Sequence, residues 1–187
     1  MKKKKAVMAF VIIIFPLCFV EAMDLKISGS PCSFQIVKFK GKPKDEKRFA
    51  DQKSQLSFGG AVDFIFPIGK GFSFDVNLSC IQYRYKDQGN YLNGNAVGLF
   101  GFSFWFGKSR LYATINLGGG MAFQKHKEVM NFSPSAMAEV SLGFALAKGV
   151  ALELTGNGQY NYQKSKDEDY SAHVINIRTF AGLIFHF

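Results

Sequence analysis

Large apolar side chains occupy every second position along much of this chain. In the segment 56–66, for example, Phe58, Val62, Phe64 and Phe66 alternate with small or polar residues. Because successive side chains of a β-strand point to opposite faces, this period of two predicts a strand with one apolar face and one small or polar face. The alternation is weakest in the first of the segments that show it, and together they predict eight strands, at 33–40, 56–66, 72–79, 100–106, 111–121, 138–146, 150–157 and 175–187.

The face on which the bulky residues lie decides what kind of barrel eight such strands form. The chain contains 21 Phe, whereas an eight-stranded barrel encloses only enough space for a modest volume of side chains. A hydrocarbon solvent accommodates a Phe-rich outer face, and a closed sheet pairs every backbone group there. We therefore expect an all-β, eight-stranded, antiparallel, up-and-down transmembrane β-barrel. The alternative is a soluble, lipocalin-like periplasmic barrel, in which the Phe faces point inward.

The first 22 residues have the features of a cleaved signal peptide. Lysines at positions 2–5 precede an apolar run at 6–20, which is shorter than the ~20 residues that a transmembrane helix needs. Cleavage after Ala22 leaves 23–32 as a periplasmic N-terminal segment and 33–187 as the outer-membrane barrel. An uncleaved N-terminal anchor is the alternative.

The charge balance argues against nucleic acid as a partner. The chain has 23 Lys and Arg against 14 Asp and Glu, and removal of residues 1–22 leaves 19 against 13. This excess is modest, and neither a basic helix nor an aromatic–basic ladder accompanies it, so we expect no nucleic-acid binding. The three histidines are not spaced for a metal site, and we expect neither a metal nor a cofactor.

Connections of two lengths alternate along the chain. Short Gly-containing turns are predicted at 67–71, 107–109 and 148–149, and longer polar loops at 41–55, 86–95, 124–134 and 163–170. Outer-membrane barrels have short periplasmic turns and longer extracellular loops, so we expect four external loops and two periplasmic termini. Aromatic belts are expected at both interfaces, with tyrosines at the loop side, namely Tyr83, Tyr85, Tyr91, Tyr160, Tyr162 and Tyr170.

The chain ends on a strand with aromatic residues at alternate positions. Gly182, Phe185 and Phe187 resemble the terminal signature by which bacterial outer-membrane barrels are recognised by their assembly machinery, although Phe180 stands where a polar residue is usual. With the signal peptide and eight strands, the chain is similar to small barrels of the OmpX, opacity-protein and OmpA transmembrane-domain type, and secondarily to the OmpW family. The resemblance implies an exported, monomeric protein of the bacterial outer membrane, surrounded by its lipids and folded by the barrel assembly machinery.

The inward face of the predicted barrel carries ionisable side chains. Asp63, Asp75, Glu139, Glu153 and Arg178 all lie on the small and polar side of their strands. Charges in a narrow lumen must be paired or hydrated. We expect Arg178 to anchor a network that plugs the barrel, with Glu153 on the neighbouring strand as its main partner. The alternative is a cation-selective thread of water past the four acids.

The loops and rims are the remaining places for a function. The first loop is basic through Lys42, Lys44, Lys47 and Arg48, and it suits lipid phosphates, acidic host polysaccharides or another envelope protein. We therefore expect a structural or surface-interaction protein. The alternative is a narrow, OmpW-like channel for small hydrophobic or cationic solutes. A lipid-modifying enzyme is a remote alternative, because no nucleophile motif surrounds the rim residues Ser171, His173 and Asp169.

Overall fold

The computed structural model describes residues 23–41, 52–55, 57–85, 89–126, 129–164 and 170–187. No helix within these ranges is long and apolar enough to cross a membrane. The described secondary structure consists of strands β1 Asp24–Gly41, β2 Gln52–Lys53, β3 Ser57–Gly69, β4 Phe72–Tyr85, β5 Gly89–Trp105, β6 Leu111–His126, β7 Val129–Ala147, β8 Val150–Lys164 and β9 Tyr170–His186.

The strands form one closed antiparallel sheet. Each long strand pairs with the next one along the chain, and β1 also pairs with β9, from Asp24 opposite His186 to Gly41 opposite Tyr170. The two-residue strand β2 pairs with β1 beside β3, so β2 and β3 occupy one position in the barrel. The predicted fold class, an eight-stranded antiparallel transmembrane barrel, is confirmed.

The first strand begins nine residues earlier than the alternation predicted. Residues 24–32, which the sequence assigned to a periplasmic segment, belong to β1. A register shift between Ser30 and Ser33 adds one residue to this strand, so that both serines are buried and their hydroxyl groups lie 2.6 Å apart. Pro31, which has no N–H to donate, lies inside this bulge. The bulge reverses the phase of the alternation, and for that reason the sequence pattern hid the first half of the strand.

The strands also extend further toward the loops than predicted. β5 begins at Gly89, β6 ends at His126 and β7 begins at Val129, so much of the predicted loops 86–95 and 124–134 is strand. The other end matches the prediction closely, with turns after Gly69, Trp105 and Ala147. Backbone pairing continues into polar sequence, where an apolar period no longer marks the outer face. The end that carries these three turns is called the short-turn end below, and the opposite end the loop end.

Burial along the strands is the reverse of that in a soluble barrel. Phe100 is 67% exposed and Leu117 is 59% exposed, whereas Asn116 and Arg178 are 4% and 1% exposed. The apolar face therefore covers the outside of the barrel and the polar face lines its lumen. This arrangement rules out the lipocalin-like alternative, because that fold requires the Phe faces to point inward.

An arginine on the outer wall tests this orientation directly. Leu117→Arg, at the middle of β6, should destabilise the barrel in lipid bilayers by about 2–4 kcal/mol, whereas Ile68→Arg, beside a short turn, should cost about 0–1 kcal/mol. Urea unfolding of the protein in bilayers measures both values. Equal effects of the two substitutions would contradict a hydrocarbon environment around β6.

Candidate functional site in the barrel lumen

The acidic side chains of the lumen gather at the short-turn end. A cavity of ≈ 320 Å³ there is lined by all five carboxylates of the described residues, and they reach it from five strands. Four of these carboxylates are almost completely buried, namely those of Asp63, Asp75, Glu139 and Glu153. The alternation predicted that these four residues face inward, and the structure adds that they lie close together.

Lys26 is the cation that forms ion pairs with carboxylates of this acidic region. Its ammonium group lies 2.6 Å from a carboxylate oxygen of Glu153, 2.8 Å from the hydroxyl of Thr155 and 4.0 Å from Asp63. Sequence reasoning missed Lys26 because it placed residues 23–32 outside the barrel. A signal was present, since Lys26, Ser28 and Ser30 alternate with Leu25, Ile27 and Gly29.

Arg178 does not pair with Glu153, so the predicted ion pair is wrong. The register of β8 and β9 sets Arg178 opposite Asn157 and Glu153 opposite Gly182, four residues apart along each strand. This separation leaves Glu153 to Lys26. Strand register cannot be read from a period of two, so the alternation alone does not tell which residues of two neighbouring strands are paired.

The guanidinium group of Arg178 instead crosses the lumen to neutral partners. Its Nε donates to the hydroxyl of Tyr83 at 3.1 Å, and its Nη atoms donate to Ser79 Oγ at 3.0 Å and to Asn93 Oδ1 at 2.6 Å. In the closed order of the barrel, β5, which carries Asn93, lies diametrically opposite β9. Arg178 therefore spans the full width of the interior.

A chain of amide groups continues from this level toward the loop end. The Tyr85 hydroxyl donates to Gln35 at 2.5 Å, Gln35 donates to Asn176 at 2.7 Å, and Asn176 donates to Gln159 at 3.1 Å. Gln159 in turn donates to Ser135 at 2.7 Å. These bonds link strands β4, β1, β9, β8 and β7 through the interior.

Three tyrosines predicted for the outer aromatic belt face into the barrel, because the half-buried Tyr91 pairs with Tyr83 and packs against Tyr85. Tyr83 and Tyr85 are buried, while Tyr160 and Tyr162 are exposed on the outer wall as expected. A Tyr near the end of a strand suits an interface as well as a lumen, because its ring is apolar and its hydroxyl needs a partner. Here the partners are Arg178 and Gln35, which place the rings of Tyr83 and Tyr85 inside.

The carboxylates of Asp75 and Glu139 have no cation of their own. Within the part of the chain that the structure describes, no Lys, Arg or His nitrogen lies within 4.0 Å of either group. Glu139 accepts hydrogen bonds from Asn116 at 3.0 Å and Asn157 at 3.4 Å, which leaves the carbonyl oxygen of each amide unpaired. Oδ1 of Asp75 is also buried without a hydrogen-bond partner.

The rim residues that suggested an enzyme do not form a catalytic group among the described side chains. Nδ1 of His173 lies 2.7 Å from the Tyr160 hydroxyl, and its ring packs against Tyr162 on the outer wall. Ser171 lies two residues away on the same strand, and Asp169 lies outside the described residues. The basic loop residues Lys42, Lys44, Lys47 and Arg48 also lie outside the described ranges.

The terminal strand gives the predicted assembly residues a structural setting. Gly182 faces inward beside β1, where a Cβ atom would lie 2.6 Å from the backbone oxygen of Ile27. Glycine at this position therefore allows β9 to approach β1 closely. Phe187, the last residue, is 76% exposed at the short-turn end. Recognition of these residues by the assembly machinery stays a prediction.

The outer wall of the barrel, which faces away from the lumen, carries an open apolar groove of ≈ 670 Å³. Cys80, a free and exposed cysteine, is one of its lining residues. Cys32, which does not line the groove, is also a free cysteine. The groove is lined mainly by small and apolar outward residues, among them Val62, Leu78, Ala96, Met121, Phe123 and Phe132. In a membrane this surface faces lipid, so acyl chains suffice to fill it.

Removal of the lysine from the acidic cavity should destabilise the barrel strongly. Lys26→Met leaves Glu153 as an uncompensated buried charge, which costs about 3–5 kcal/mol when a buried pair is broken on one side. The double variant Lys26→Met/Glu153→Gln should recover most of this loss. Urea unfolding in detergent measures both variants, and Lys148→Met, at an exposed turn, is the charge-matched control. A single variant as stable as that control would show that Lys26 is not required.

Comparison with known proteins supports the fold and goes no further. No known protein family and no curated protein matches the sequence. Among solved structures, Neisserial surface protein A superimposes with a TM-score of 0.57 at 13% identity, over 87% of this chain and 97% of that one. The attachment invasion locus protein Ail of Yersinia pestis gives a TM-score of 0.49 at 12% identity, over 88% and 98% of the two chains. This chain thus has the architecture of the small eight-stranded outer-membrane β-barrels.

Proposed function

We propose that the protein is a closed, non-conducting barrel of the bacterial outer membrane with a structural or surface-interaction role through its extracellular loops. The observation that carries the closed lumen is the position of Arg178. Its side chain is 1% exposed and hydrogen-bonded to Tyr83, Ser79 and Asn93. A guanidinium group held on three sides leaves no free path for solutes at that level.

The residues around Arg178 reinforce the plug. Five further inward side chains are fully buried in the lumen, namely Ile81, Tyr83, Leu99, Gln35 and Asn93. Eight-stranded barrels have an interior just wide enough for side chains to fill. A lumen filled by hydrogen-bonded side chains stabilises the barrel and contributes no transport, which leaves function to the ends that contact water.

The loop end is the surface best suited to contact the exterior. The short-turn end carries both described termini of the barrel, Asp24 and His186, which pair at the seam. In outer-membrane barrels the short turns face the periplasm, so the loop end faces outward. We propose that the basic residues of the 42–48 segment, which lie outside the described residues, bind anionic partners such as lipid phosphates and acidic polysaccharides.

The rival function, a narrow cation channel, is favoured by one observation. The cavity at the short-turn end is acidic and contains unpaired oxygens of Asp75 and Asn116. Such a cavity attracts cations from the periplasmic side. Passage through the barrel would then require displacement of Arg178 from its three partners, and for this reason we favour the closed form.

Planar bilayer recordings distinguish the two functions. The wild-type protein should be silent, and Arg178→Ala should open intermittent conductance because it removes the side chain that spans the lumen. Lys125→Ala removes one exposed cation at the loop end and should remain silent. A heat-dependent gel shift confirms folding of each variant. Steady cation-selective conductance in the wild type, little changed by Arg178→Ala, would overturn the plug.

Binding of an acidic polysaccharide tests the surface role. Replacement of Lys42, Lys44, Lys47 and Arg48 by Gln should weaken binding of dextran sulfate about fourfold or more at low salt, since four exposed ionic contacts of about 0.2–1 kcal/mol each contribute about 0.8–4 kcal/mol. The control removes the same charge from the short-turn end, through Gln at Lys70, Lys108, Arg110 and Lys148. Surface plasmon resonance on detergent-solubilised protein measures both variants. Equal losses in the two variants would show that net charge, and not the loop, governs binding.

A further inference from the structure

One row of residues crosses four strands at the short-turn end of the lumen. Ser73 on β4 pairs with Gly101 on β5, Gly101 pairs with Asn116 on β6, and Asn116 pairs with Glu139 on β7. Asp75 lies two residues after Ser73, on the same face of β4 and closer to the loop end. The row and Asp75 therefore place oxygen-bearing side chains side by side on the wall of the acidic cavity, with one glycine among them.

Gly101 creates a space that is bordered by oxygen atoms. A Cβ atom at this position would lie 2.3 Å from Asn116 Oδ1 and 2.5 Å from Ser73 Oγ, so these two oxygens are at most about 4.8 Å apart and border space that a side chain at position 101 would fill. Asn116 is only 4% exposed, and yet its Oδ1 has no hydrogen-bond partner.

The carboxylate of Asp75, on the same cavity wall, also has an oxygen without a hydrogen-bond partner. Asp75 is 4% exposed and its Oδ1 has no hydrogen-bond partner. An orphaned buried acceptor is costly, and among the described side chains Asp75 and Asn116 are the two with such an atom that line the acidic cavity. A ligand that accepts lone pairs from both oxygens would satisfy them together.

The charge of the region points to the sign of that ligand. Four buried carboxylates surround the cavity, whereas the one buried cation beside them, Lys26, is engaged by Glu153 and Asp63. Asp75 and Glu139 are left without an ion pair among the described residues. A carboxylate buried without an ion pair is costly unless a proton or a cation neutralises it, and a cation in the cavity would serve both Asp75 and Glu139.

We propose that the short-turn cavity binds a divalent cation of the calcium type through Asp75, Asn116 and Ser73, with Glu139 supplying a second negative charge. Calcium prefers carboxylate, amide and hydroxyl oxygens and accepts irregular geometry with bound water. Among the described residues no three His, Cys, Asp or Glu side chains are placed to hold a metal, so water completes the shell. Affinity is accordingly in the range of open extracellular sites, with a dissociation constant of about 10⁻⁴–10⁻³ M.

The chain contains a built-in reporter for this site. Trp105 is its only tryptophan, and it lines the same cavity together with Tyr112. Terbium is a luminescent substitute for calcium that emits when a nearby indole is excited. Chelator-washed protein in detergent micelles should therefore show terbium emission on excitation of Trp105, and calcium should displace it.

Two variants remove the site by different means. Asp75→Asn keeps the size of the side chain and removes its charge, and it should weaken terbium binding at least about tenfold, because even indirect partners of a metal contribute 10- to 100-fold. Gly101→Ala fills the space between Asn116 and Ser73 without a change in charge, and it should have a similar effect. The new methyl group would displace only the ends of the Asn116 and Ser73 side chains and no backbone atom, so the barrel should still fold.

Matched controls separate this site from other binding. Asp24→Asn removes the carboxylate at the rim of the same cavity, and Gly156→Ala adds a methyl group where nothing lies within 4 Å. Both should bind terbium as the wild type does. Loss of the signal in Asp24→Asn with retention in Asp75→Asn would place the cation at the rim and overturn the proposal. Folded wild-type protein without calcium-sensitive emission would overturn it as well.

Discussion

Closure of the sheet between β1 and β9 is the constraint on which the rest of the structure depends. In hydrocarbon every backbone N–H and C=O must be paired within the protein, and an open edge strand would leave a row of them without partners. The seam runs from Asp24 and His186 to Gly41 and Tyr170. The bulge in β1 contains Pro31, so the residue without an N–H lies where the ladder of hydrogen bonds is already interrupted. Gly182 allows the backbones of β1 and β9 to come close.

Once the sheet is closed with its apolar face outward, the lumen must accommodate polar groups away from bulk water. The structure meets this requirement at two levels. Near the short turns, Lys26 is shared by Glu153 and Asp63, and at the middle of β9 Arg178 is held by neutral hydroxyl and amide groups. Hydrogen bonds to a charged group are worth more than those between neutral groups, so each cation organises the side chains of several strands.

The sequence was sufficient for the fold because the outer face is dictated by one solvent. Phe100, Leu117 and Leu154 must all contact hydrocarbon, and this common requirement produces a regular period of two. The inward direction of Asp63, Asp75, Glu139, Glu153 and Arg178 followed from the same period. The two strand ends where the pattern failed, near Pro31 and near Gly89, are the places where a bulge or polar surroundings remove the period.

The hydrogen-bond and ion-pair partners of the inward residues could not be predicted from the sequence. Which side chain Arg178 meets depends on strand register and on the stagger of strands around the barrel, and neither leaves a trace in composition or period. A shift of Arg178 by four residues along β9 would set it opposite Glu153.

The separation of charge along the lumen connects the two proposals made for this protein. All five described carboxylates lie around the cavity at the short-turn end, while Arg178 lies nearer the loops and makes no ion pair within the described residues. A cation in the acidic cavity would meet the positive guanidinium group before it reached the exterior. The same arrangement that makes one end of the lumen attractive to cations therefore opposes their passage, so cation binding and a closed barrel are compatible properties of one structure.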